Sequence, residues 1–185
     1  GKTDWNFHDD GQPFDSSRWS ALAGHQPFYA QVNFSETHRG GAWRNAHTRI
    51  EHRADPEHVA VPPYYPDHPV VHDDWAQYLN TVMSLDRKVG YVLEMLEADG
   101  LADRTIVVFF GDHGRAMGRG KQWCYDSGLH IPLIIRWPEA YPAPAGYAPG
   151  AVDDRLLEAI DLTATTLDFA GVAPPPAMQG RIFLG

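Results

Sequence analysis

The stretch Thr105-Ile-Val-Val-Phe-Phe-Gly-Asp-His-Gly114 constrains this chain more than any other. Its β-branched and aromatic run, 105–110, reads as a buried strand. The run stops abruptly at Gly111-Asp112-His113-Gly114. In open α/β folds, ligands bind in the crevice beyond the carboxyl ends of the strands. Asp112 offers a hard oxygen there and His113 an imidazole nitrogen, a pair suited to a divalent cation or to acid–base work. Lys121, further along the same loop, adds a point charge that can hold an oxyanion. The pattern points to an enzyme acting on an anionic group. Taken alone, the tetrapeptide is also an ordinary turn, and it is the strand end and the downstream lysine that favour function.

The other elements follow from spacing. Phe28-Tyr-Ala-Gln-Val-Asn-Phe34 reads as a second strand, left by the polar loop Ser35-Glu-Thr-His-Arg-Gly-Gly41. Residues 42–72 hold five histidines and no clear periodicity, so a long irregular excursion is expected. From 73 to 98, Trp75, Leu79, Val82, Val89, Leu93 and Leu96 fall on one helical stripe, with Asp73 or Asp74 as cap and Gly100 as stop. Asp86 lies on that stripe and needs a partner or an edge position. Residues 131–137 read as a strand. Residues 161–170 read as a helix capped by Asp161 and closed by Gly171. Strands alternating with helices favour a parallel or mixed sheet. No internal repeat or domain boundary is visible, and 185 residues suit one domain.

Composition excludes some classes. A formal charge of -9 is the opposite of a nucleic-acid footprint, though a local cationic cluster can still bind an anionic substrate. No apolar run approaches the roughly 20 residues of a membrane span. The single cysteine, Cys124, allows no internal disulfide and reads as a packing residue rather than a nucleophile, since no activating base accompanies it. His47, His52, His58, His68 and His72 show no metal-ligand spacing. His38 gains interest only from its place after the 28–34 strand, because parallel strand ends converge on one crevice. No glycine-rich phosphate loop or nucleophile elbow is present.

Read in order, several segments resemble the sulfatase family of the alkaline-phosphatase-like superfamily, nearest to the heparan N-sulfatase (sulfamidase) branch and similar bacterial proteins. Gly1-Lys2-Thr3-Asp4 is similar to a G-K-x-H element. Gln31-Val-Asn-Phe-Ser-Glu-Thr-His38-Arg39 resembles the strand and loop that present a substrate-contacting histidine. Val61-Pro-Pro-Tyr-Tyr-Pro-Asp67 resembles the lid loop leading into the long helix. Gly111-Asp-His-Gly114 through Lys121 and Tyr125 resembles the D-[HN]-G…[KR]-x-x-x-Y block. Gly128 to Pro138, Asp161 to Gly171 and Met178-Gln-Gly-Arg181 resemble the strand, helix and tail that follow.

The resemblance implies an α/β fold: an alkaline-phosphatase-like three-layer αβα sandwich with a mostly parallel sheet. Residues 1–185 would be the middle and C-terminal portion of a sulfatase catalytic domain, incomplete at the N-terminus. It implies hydrolysis of sulfuric esters or sulfamates, on small molecules or glycans. Asp112 and His113 would ligate a divalent cation, usually calcium, with magnesium or manganese as alternatives. Lys2 and Lys121 would hold sulfate oxygens, and His38 would contact the sulfate or the leaving-group oxygen. The family's nucleophile is a formylglycine made in C/S-x-P-S-R, a motif that does not occur here; the resemblance places it before Gly1, together with an early pair of metal-binding aspartates. Two positions depart from the pattern: Asp4 stands where the family has a histidine, and Lys121 where sulfamidases have an arginine. A phosphodiesterase or phosphonate monoester hydrolase of the same superfamily, and a non-catalytic anion- or glycan-binding protein, are the alternatives. Neither nucleic acid nor a membrane span is expected. Family analogy suggests a periplasmic or secreted protein, and the sequence sets no oligomeric state.

Overall fold

A computed structural model describes residues 11–185. They fall into two compact units, one reaching Leu101 and the other Ala102–Gly185.

The first unit is organised by one long helix. Helix α1 (Gly41–Arg44) and a single 3-10 turn (Ala46–Thr48) lie against helix α2 (Pro69–Ala98). Helix α2 begins four residues earlier than its apolar stripe requires. His68 is its N-cap, accepting from the Val70 backbone N–H at 3.2 Å, and Pro69 occupies the first turn, where a missing N–H costs nothing. At the other end Gly100 turns the chain with φ +65°.

The buried face of α2 is not the stripe of large apolar residues. Trp75 and Leu96 are buried, but Val82 is exposed, and the remaining covered positions are Ala76, Asn80, Thr81 and Ser84. Small and polar side chains sit there because the irregular 42–58 segment packs close and needs hydrogen bonds. Asn80 accepts from the Ala54 N–H at 2.8 Å, Gln77 donates to the Trp43 carbonyl, and Arg87 donates to the Arg49 carbonyl at 3.2 Å. His72 binds the Pro56 carbonyl region and Asp67 through its two ring nitrogens. Trp43, Tyr78, Trp75 and Tyr65 form a chain of ring contacts with centroids 5.4–6.1 Å apart. Asp86 is exposed, at the edge of the covered face.

The 28–34 segment is not a strand. Tyr29 and Val32 are exposed, and the segment has no ladder partner among the described residues.

The second unit holds one strand pair, β1 (Val107–Phe110) and β2 (Leu133–Arg136). They run antiparallel, with Val107 opposite Arg136 and Phe110 opposite Leu133. The mostly parallel sheet of a three-layer sandwich is therefore not seen among the described residues. The reason is local: the connection contains only the one-turn helix α3 (Asp126–Leu129), whereas a parallel return needs a longer crossover, usually a full helix. Nor is β1 a buried strand, since Phe110 and its neighbour-strand residue Ile134 are exposed.

Helix α4 (Ala159–Phe169) is capped by Glu158, not Asp161. Asp161 is its third residue and closes a reciprocal capping box, accepting from the Glu158 N–H at 3.0 Å. Its other oxygen accepts from the Arg181 N–H at 2.7 Å, which ties the C-terminal tail to the helix, and Phe183 N–H adds a bond to Thr165. Trp137 packs edge-on against Phe169 at 5.0 Å.

Asp161 is 2 % exposed, so these bonds are formed away from water. The backbone N–H groups of Arg181 and Glu158 hold its carboxyl below the usual carboxylate range. A depressed folded-state pKa contributes stability above the unfolded value, about 3.9, which is lost as pH falls through the folded value. Asp161→Ala is expected to cost about 2 kcal/mol at pH 7, from the lost cap and the stranded donors. Asp161→Asn should flatten the fall in stability below about pH 4. Urea unfolding at pH 7 and pH 3 checks both; equal losses at the two pH values would contradict the charge argument.

Candidate active site

The loop that leaves β1 is held shut by backbone contacts. Gly111 N–H extends the ladder to the Pro132 carbonyl at 3.2 Å, and Gly114 N–H bonds the Gly128 carbonyl at 2.9 Å. Lys121 N–H bonds the Arg115 carbonyl at 2.8 Å, and Trp123 N–H bonds the Gly120 carbonyl at 3.1 Å. The chain crosses itself so closely that glycine is required. A Cβ on Gly114 would lie 2.1 Å from the Ser127 oxygen, and one on Gly128 2.1 Å from the Trp123 oxygen.

At the mouth of this loop Asp112 and His113 are side by side. Asp112 Oδ1 lies 3.7 Å from His113 Nε2. His113 Nδ1 lies 2.9 Å from the Gly114 carbonyl oxygen. A carbonyl can only accept, so Nδ1 donates to it, and Nε2 is left on the side of Asp112. This is the arrangement metal-ligating histidines use: one nitrogen donates to a backbone carbonyl and the other is presented to the ion. Both side chains are partly exposed, Asp112 at 61 % and His113 at 38 %, so an ion or a substrate can reach them. The sequence placed these two residues together and the structure does the same.

Lys121 sits in the same loop, half-buried, between two strained residues. Arg119 and Gln122 have φ of +61° and +76°, conformations that cost a side-chain-bearing residue about 1–3 kcal/mol. Arg119 is held by stacking over Tyr125 at 3.9 Å, while its carbonyl accepts from Ser127 Oγ at 2.7 Å. Strain of this kind is tolerated where the backbone must aim a particular side chain. Cys124 is exposed and free.

His38 belongs to the first unit. It closes a turn, its N–H donating to the Ser35 carbonyl at 3.2 Å, and its side chain is exposed. A Cβ on Gly40 would lie 3.7 Å from His38 Nδ1, so the ring folds back over Gly40. The neighbours Glu36 and Arg39, which sequence reasoning passed over as flanking charges, are each tied to α2 through Lys88 and Asp74. The only legible signal was their alternation around a loop histidine. Lys2 and Asp4 lie outside the described residues. Among the described residues no three His, Cys, Asp or Glu side chains gather as a complete metal cage, and no helix is long and apolar enough to cross a membrane.

The strand-end Asp-His pair is a motif shared by many hydrolases, and the order of segments around it decides between them. The sulfatase family model matches residues 6–172. The chain belongs to the sulfatase family. The matched span of this sulfatase-family chain contains His38, Asp112, His113 and Lys121. It is similar to an ulvan-active sulfatase of Formosa agariphila, 32% identical, with an alignment covering 100% of this chain and 36% of that protein. Human N-sulphoglucosamine sulphohydrolase is 33% identical over 65% of this chain and 23% of its own length. Among solved structures, phosphonate monoester hydrolase from Silicibacter pomeroyi superposes with a TM-score of 0.55 and 28% identity, over 88% of this chain and 31% of that one. This places the fold in the alkaline-phosphatase-like group. The chain spans only about a quarter to a third of the length of each of these.

Proposed function

We propose that the full-length protein hydrolyses sulfate esters or sulfamates in a metal-dependent reaction, with a sulfated glycan as substrate, and that residues 1–185 form part of its catalytic domain. The observation that carries this reading is the Asp112–His113 pair, its ring oriented by the Gly114 carbonyl, inside the span that matches the family. The glycan follows from the relatives' names: the Formosa protein is named for ulvan and the human one for N-sulphoglucosamine.

The pair fits a divalent cation. One carboxylate oxygen and one imidazole nitrogen would supply two of its ligands. Calcium is the ion the resemblance implies. Imidazole is a poorer ligand for calcium than for manganese, so manganese, with magnesium, belongs in the same test. The chemistry such an ion would supply, when bound by Asp112 and His113, is offsetting of the charge on a sulfuryl oxygen.

The chain's own residues do the remaining work. Lys121, carried by the strained loop, places a point charge against a non-bridging sulfuryl oxygen. Lys2 takes the same role, as the resemblance implies. His38 passes a proton to the leaving oxygen or nitrogen. The nucleophile the resemblance implies is a formylglycine.

The second reading is hydrolysis of a phosphonate monoester or phosphodiester, favoured by the likeness to the Silicibacter enzyme. Both groups present anionic oxygens to the same loop. Assay of the purified full-length protein on an aryl sulfate and an aryl phosphonate monoester, with and without chelator, separates them. A sulfate preference of about 100-fold, abolished by chelation, is expected. A phosphonate preference establishes the second reading, and glycan binding without turnover of either ester leaves a binding protein.

A further inference from the structure

The least economical residue in the first unit is Glu36. Its side chain is 1% exposed. Oε1 accepts from Arg49 Nη1 at 3.2 Å and from Lys88 Nζ. Oε2 is buried with no hydrogen-bond partner among the described residues. Withdrawing the carboxylate from water is costly, although Arg49 and Lys88 keep nearly half of their side chains exposed, and an apolar side chain of similar volume is usually as stable or more so. A buried carboxylate with one oxygen unmatched contributes little net stability. What it does contribute is geometry, because a buried carboxylate held by two cations from different segments can keep both contacts in few arrangements.

The place it fixes is two residues before His38. On the other side of that histidine, Arg39 reaches Asp74 and covers the Trp43 ring at 4.8 Å. Asp74 and Lys88 lie on the same helix, α2, about four turns apart, roughly 21 Å along the axis. The turn 35–38 is thus attached to one rigid element at two distant points, so it cannot pivot on either. Arg49 brings in the irregular segment as a third support, and Arg87 in turn holds the Arg49 carbonyl. Among the described residues no hydrogen bond or ion pair holds the His38 ring, which is exposed and lies beside Gly40.

We infer that Glu36 is a positioning residue: its buried carboxylate, clamped by Lys88 and Arg49, fixes the turn that presents the His38 imidazole to substrate. This deepens the reading of His38 as a substrate-contacting group and rests on it. Glu36 touches no reacting atom in this scheme and acts only through His38.

A double-mutant cycle in the full-length protein, read as kcat and KM on the best sulfate ester, tests it. His38→Ala is expected to lower kcat by about 100-fold or more. Glu36→Gln should lower kcat by about 10-fold with KM within about twofold, the size expected for a group that orients a site residue. In the His38→Ala background, Glu36→Gln should cost nothing further. Lys88→Met, which removes the clamp from the helix side and leaves Glu36 intact, should repeat the same pattern if Glu36→Gln folds poorly. Equal losses with and without His38 would mean a general structural role and overturn the inference. So would full activity of both Glu36→Gln and Lys88→Met beside an impaired His38→Ala. An unimpaired His38→Ala would instead remove the underlying reading of His38, and with it the inference.

Discussion

Asp112→Asn is expected to lower sulfate-ester turnover by about 10³-fold while leaving the protein folded. The carboxylate is 61 % exposed, so replacing it with a neutral isostere strands no buried group. Its effect falls on the charge it offers a cation. Losing a charged ligand removes several kcal/mol of transition-state stabilisation, which is about three powers of ten in rate. Turnover and metal affinity should fall together, and added metal should restore part of the rate. Thermal unfolding of the metal-free variant should stay within a few degrees of the parent. Chelation of the parent protein should reproduce the loss. If Asp112→Asn binds metal as the parent does and still loses turnover, Asp112 acts on substrate directly. If turnover is unchanged, the strand-end pair is an ordinary turn and the site lies elsewhere.

The position of that pair just past a strand end was legible in the sequence because its signal is local: five apolar residues, a glycine, then two polar groups. The long helix was legible for the same reason, although its start was set by His68 and Pro69 rather than by Asp73. Its buried face was misjudged. Apolar spacing marks the face that is greasiest, whereas the covered face of α2 is the one the 42–58 segment reaches, and close backbone approach selects Ala76, Asn80 and Ser84. The 28–34 segment shows the opposite failure. Its residues suit a strand, but strands exist by pairing, and no partner is present among the described residues. The Glu36–Lys88 contact was invisible because it joins positions far apart in sequence whose separate charges look like ordinary surface residues.

Gly114→Ala is expected to disable the same site without altering any group that performs chemistry. The new Cβ would lie 2.1 Å from the Ser127 oxygen and 2.6 Å from the Gly128 Cα. Both are backbone, so neither can rotate away as a flexible side-chain tip would. The two strands of the loop must separate, and the hydrogen bond from Gly114 N–H to the Gly128 carbonyl goes with them. Overpacking and the lost buried bond together should cost about 3 kcal/mol. The opening also displaces His113, whose Nδ1 depends on the Gly114 carbonyl, and a misplacement of about 1 Å costs about 100-fold in rate. Gly90→Ala is the matched control. Gly90 lies in α2 with open space where a Cβ would be, so the same change there should stabilise the protein by up to about 1 kcal/mol. Urea unfolding and turnover per folded molecule separate the two consequences. A Gly114→Ala protein that is destabilised but turns over normally when folded would show that the loop can yield without moving His113. One that keeps both properties would show that the crossing at Gly114 is looser than a 2.1 Å approach allows.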